Sequence, residues 1–82
     1  MQRHIRNKLI YPPEARRAGI QGVAELSFVI HTDGHVSNVR ITVSSGSEML
    51  DASAVEAIYS AAPFRPPPNQ ARLVIPVAFR LR

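Results

Sequence analysis

The sequence predicts an α+β domain. It has a three-stranded antiparallel sheet in the order 2-1-3, two helices on one face, and the element order α-β-β-α-β. Three observations carry this. Two stretches that alternate apolar and polar residues flank a glycine turn, around Ala24–Ile30 and Val36–Val43. Leu50, Ala54, Ala57, Ile58 and Ala61 then recur at helical spacing. A last alternating stretch places Ile75, Val77, Phe79 and Leu81 on one face.

The elements follow in order. Residues 1–10 mix cations with Ile5, Leu9 and Ile10, and are read as a lead-in that could form a helical turn. A short helix is expected from Pro13 to Ala18. Proline suits the first turn, where its missing N–H would lack a partner anyway, and Gly19 supplies a left-handed stop. Gly22 opens the first strand. Ala24, Leu26, Phe28 and Ile30 face the core, and Glu25, Ser27 and His31 face away. Thr32-Asp33-Gly34 forms the hairpin turn. In the return strand the step from Val36 to Val39 breaks the alternation, which predicts a bulge or twist near Ser37-Asn38.

Ser44-Ser45-Gly46-Ser47 ends that strand. Ser45 with Glu48 fits a capping box, and Ser47 is the competing cap. Pro63 stops the long helix, Phe64 returns to the core, and Pro66-Pro67-Pro68 forms a stiff spacer. The last strand is expected over Leu73–Leu81. The predicted core contains Leu26, Phe28, Ile41, Ile58, Val77 and Phe79.

A right-handed crossover through the long helix sets the third strand beside the first, which gives the order 2-1-3. Pro76 fits that placement. A proline cannot donate to a ladder, so its strand should be an edge with position 76 facing outwards. The backbone groups of Val74, Pro76, Ala78 and Arg80 then face the open side, and those of Ile75, Val77, Phe79 and Leu81 pair inwards.

Composition narrows the function. At 82 residues the chain is read as one domain spanning 1–82, with little room for a deep catalytic cleft. The absence of cysteine excludes a disulfide framework, a thiolate metal site and a cysteine nucleophile. No apolar run reaches the roughly 18–20 residues needed to span a bilayer, so this fragment is not read as membrane-spanning, and no secretory signal pattern opens it. Ten Lys/Arg against six Asp/Glu give a net charge of +4, which suits an anionic partner. The cations are scattered, without a basic helix or interleaved aromatics, which argues against nucleic acid.

A family resemblance rests on an ordered set of short motifs. These are Tyr11-Pro12-x-x-Ala15, then Gly22-x-Ala24-x-Leu26-x-Phe28-x-Ile30, then Asp33-Gly34-x-Val36. Ser44-Ser45-Gly46, Leu50-Asp51-x-x-Ala54-x-x-Ala57-Ile58 and Ala62-Pro63-Phe64-x-Pro66-Pro67 follow, and Ile75-Pro76-Val77-x-Phe79-x-Leu81 closes the set. Together they span about three-quarters of the chain and resemble the C-terminal domains of TonB energy transducers. The resemblance implies the periplasmic domain of an inner-membrane-anchored protein, with motor partners reached through a separate N-terminal region. It implies a partner too: the TonB box of an outer-membrane receptor for siderophores, haem or similar nutrients, bound as a strand added to the last strand's open edge.

By that match the partner-binding residues are Val74, Pro76, Ala78, Arg80 and Arg82, with Tyr11 and Pro12 as a second receptor-proximal region. Pro76 departs from the pattern by removing one donor from the receiving edge. No cofactor and no metal is implied. Two alternatives compete, a TolA-like envelope-integrity domain and a basic nucleic-acid-binding module. The tyrosine–proline pair and the proline-ended helix favour the TonB-like reading. An open edge could also pair with a second copy of the chain.

Other candidate sites have plainer explanations. His31 and His35 flank Asp33, but a metal would need further ligands, and His4 is the only other histidine. The serines at 44, 45 and 47 could bind an anion at a helix start, yet no phosphate-loop lysine accompanies them and capping explains them better. The six carboxylates scatter over separate elements and no nucleophile turn is present, so no enzyme is expected. Tyr11 could equally be a packed aromatic.

Overall fold

The computed structural model describes residues 9–81. The helical turn anticipated for the lead-in falls mostly on residues 1–8, outside the described residues; Leu9 and Ile10 belong to no regular element. Helix α1 spans Pro13–Arg17, β1 Gly22–Ile30, β2 Val36–Val43, α2 Glu48–Ala61 and β3 Ala71–Phe79. The strands form one antiparallel sheet in the order β2-β1-β3. Element order and sheet order are those expected from the sequence.

Each helix ends where its local chemistry requires. The Pro12 carbonyl accepts from the Arg16 N–H at 3.0 Å and starts α1. Gly19, at φ +69°, closes it, as Ile20 N–H bonds back to Ala15 O and Gly19 N–H to Arg16 O. Ser47, not Ser45, caps α2, accepting from the Leu50 N–H at 3.4 Å. Pro63 follows the last turn, and Ala62 N–H still reaches Ile58 O.

The core lies between the sheet and the helices. Phe28, Phe79, Leu26, Leu50 and Ile58 are its largest fully buried side chains, and Ala15 of α1 joins them. Burying each large side chain contributes about 1.5–3 kcal/mol before the cost of ordering the chain. Phe64 does return to the core, where its ring stacks on Phe28 with centroids 6.1 Å apart. Its backbone docks on the hairpin, because Phe64 N–H donates to Gly34 O at 2.7 Å.

Four expectations need correction. The last strand is Ala71–Phe79, not Leu73–Leu81, because β1 begins at Gly22 and Gly22 pairs with Phe79. Leu81 has no strand opposite it, and its N–H donates to the Gln21 side chain instead. Ile41 is only partly buried, since β2 is an edge and Ile41 has a strand on one side alone. Ser27, assigned to the solvent face, is 5% exposed, and its same-face neighbour Val29 is 8% exposed. Both lie on the central strand, flanked in register by Arg40 and Ser37 on β2 and by Val74 and Arg72 on β3. The expected bulge at Ser37-Asn38 is present, with Asn38 at φ 54°, and a second register shift near Thr42 was not anticipated.

Candidate partner-binding edge

Strand β3 pairs with β1 over nine consecutive positions, from Gly22↔Phe79 to Ile30↔Ala71, without a register shift. Its other side carries no strand among the described residues. Ile75, Val77 and Phe79 point into the core, while Val74, Pro76 and Ala78 are exposed. The opposite edge of the sheet is less regular, since β2 carries two shifts and a positive-φ residue. A strand with such breaks presents a poorer template for another chain.

The expected site residues thus separate into groups. Val74, Pro76 and Ala78 share one strand and one face, with Val74 55% exposed. Arg80 lies one residue past the strand and is exposed. Arg82 lies outside the described residues. Tyr11 and Pro12 are partly buried and sit in the approach to α1. The Tyr11 ring meets Phe79 edge-on at 5.5 Å between centroids, its hydroxyl donates to Ile20 O, and the Arg16 guanidinium lies 5.6 Å above it. Tyr11 therefore fastens α1 to the end of β3. One neighbour escaped the sequence reading. Val23, 39% exposed, pairs in register with Ala78 and shares its face. Its alternation with Glu25 was the available signal.

Two further clusters find structural roles. His31 donates from Nδ1 to Gln70 Oε1 at 3.0 Å, and its Nε2 lies 2.7 Å from Ser37 Oγ, so it ties the hairpin to the chain entering β3. His35 Nδ1 lies 3.2 Å from Asp33 Oδ2 on the exposed turn. The His35 backbone N–H, which donates to Asp33, holds that carboxyl below its ordinary range. No group of three metal-ligating side chains comes together among the described residues.

In the loop before α2 the donors of Ser44 and Ser45 are taken by the protein's own carboxylate. Asp51 accepts from Ser45 N–H, Ser45 Oγ and Ser44 Oγ. Burial alone would raise its pKa. The bonds from Ser44 and Ser45 outweigh that and hold it below the ordinary value. The ion pair between His35 and Asp33 involves no arginine, and the Arg16 guanidinium is held over the Tyr11 ring.

Comparison with known proteins gives a consistent result. The family model described as Gram-negative bacterial TonB protein C-terminal matches residues 7–81. Protein TonB of Helicobacter pylori strain J99 is 37% identical over all of this chain, which spans 30% of that protein's length. Protein TonB of Pasteurella multocida is 39% identical over 99% of this chain and 32% of its own length. The chain thus spans about a third of the curated relatives it matches. A solution structure of the Helicobacter pylori TonB C-terminal domain superposes with a TM-score of 0.89 at 38% identity, covering 99% of this chain and 77% of that one.

Proposed function

The chain belongs to the TonB C-terminal family, whose members are binding modules and not enzymes, and from that premise we propose that it grips an outer-membrane receptor by strand addition. On this reading a short N-terminal segment of the receptor, the TonB box, lies along the outer side of β3. Val74, Pro76 and Ala78 supply the receiving backbone, and Arg80 and Arg82 attract acidic residues nearby. The parent protein is anchored in the inner membrane and holds this domain in the periplasm. Motor proteins at that membrane drive it, and the force passed to the receptor supports uptake of siderophores, haem or similar nutrients.

The observation that carries the reading is β3 itself: nine residues, regular on its paired side and, among the described residues, without a strand on the other. Backbone pairing asks little of the ligand's sequence, which suits a transducer that serves more than one receptor. Each hydrogen bond contributes about 0.5–1.5 kcal/mol net, so a short peptide alone should bind at micromolar strength or weaker. An exposed ion pair to Arg80 adds about 0–1 kcal/mol.

Ala78→Pro tests the reading. It removes one outward N–H while leaving the inner ladder to β1 its donors. A receptor-derived peptide should bind the variant more weakly, with melting nearly unchanged. Full affinity in a folded variant would mean that the peptide docks elsewhere, with the Tyr11-Pro12 region the next place to look.

A further inference from the structure

Strand β3 carries the features of a self-associating edge. It is long and unbroken on its paired side, and its exposed outer-face residues include apolar Val74 and Ala78. Pro76 lies near its middle, paired in register with Glu25. We propose that Pro76 is a selectivity device that leaves the edge open to a foreign strand and closes it to a second copy of this chain. The inference rests on the strand-addition reading and adds to it.

Two copies joined through β3 would pair about a two-fold axis, so that residue i meets residue j and residue j meets residue i. Each copy then brings its own Pro76. The missing N–H and the ring projecting towards the partner strand count twice, whether Pro76 faces Val74 or its own counterpart. A receptor peptide meets that gap once. A register slipped far enough to avoid Pro76 confines pairing to residues 71–75 or 77–79, at most five of the nine residues of the strand, and so gives up much of the ladder. The penalty for self-pairing is therefore the square of the factor that weakens peptide binding. The other edge needs no such device, because β2 is already broken by its two shifts.

Pro76→Thr restores the donor and removes the ring at an exposed position. Peptide affinity and self-association are measured together, by titration and by sedimentation equilibrium. One recovered hydrogen bond should tighten peptide binding about two- to tenfold. Dimerisation should then tighten by the square, about four- to a hundredfold. Adding Ala78→Pro to Pro76→Thr should return the protein to monomer, which ties the dimer to β3. If dimerisation rises no more than peptide affinity does, the selectivity role of Pro76 is wrong and strand addition stands. If dimerisation rises while peptide affinity does not move, Pro76 only blocks self-pairing, the strand-addition reading falls, and the selectivity role falls with it.

Discussion

Tyr11 and Phe79 meet edge to face, with ring planes at 84°, and so join the approach to α1 to the last residue of the open strand. The contact makes Tyr11 part of the scaffold beneath the binding edge. Tyr11→Phe keeps the ring and loses the bond to Ile20 O, which should cost about 0.5–1.5 kcal/mol. Tyr11→Ala also loses the aromatic pair and should cost about 2–3 kcal/mol, less than a fully buried ring. Peptide affinity of Tyr11→Phe should stay within about twofold of the parent. A tenfold loss of affinity at an unchanged melting temperature would place the hydroxyl against the partner instead.

Gly34 admits no side chain. It sits at φ +91°, and a Cβ there would lie 2.1 Å from the Phe64 carbonyl oxygen, a backbone atom. Gly34→Ala must strain the turn and push the post-helix loop off the hairpin. We expect a loss of about 3 kcal/mol, read as a lowered urea midpoint. A variant as stable as the parent would show that the loop can shift freely.

Asp51 makes stability depend on pH. Its pKa is held below the ordinary 3.8 in the folded chain. A depressed carboxyl contributes stability that is complete above the unfolded pKa and is lost as pH falls through the folded one. The melting temperature of Asp51→Asn should therefore lie below the parent's at neutral pH. The gap should close as pH falls below about 4. A gap that is constant from neutral to acid pH would mean that the bonds from Ser44 and Ser45 do not depend on the charge.

Much of the fold was legible because the alternation is clean where it matters. Phe28, Val77 and Phe79 lie in the faces that their spacing assigns. The bulge at Ser37-Asn38 was visible as a broken step, whereas the shift near Thr42 was hidden, because Val39, Ile41 and Val43 still alternate. Leu81 also continues a pattern, but whether it has a strand opposite depends on where β1 begins, which periodicity does not encode. Ser27 reads as exposed from polarity alone, and its burial follows from the central place of β1. At the edge itself, Pro76 marked the open strand from the sequence. The Tyr11–Phe79 contact, between residues far apart in the chain, left no local trace.

Amide hydrogen exchange along β3, with and without a receptor-derived peptide, tests strand addition most directly. In the free protein the inward amides of Leu73, Ile75, Val77 and Phe79 should exchange slowly, and the outward amides of Val74 and Ala78 fast. Saturating peptide should slow Val74 and Ala78 and leave the amides of β2 unchanged. Fast exchange at Val74 and Ala78 in a saturated complex would contradict the account.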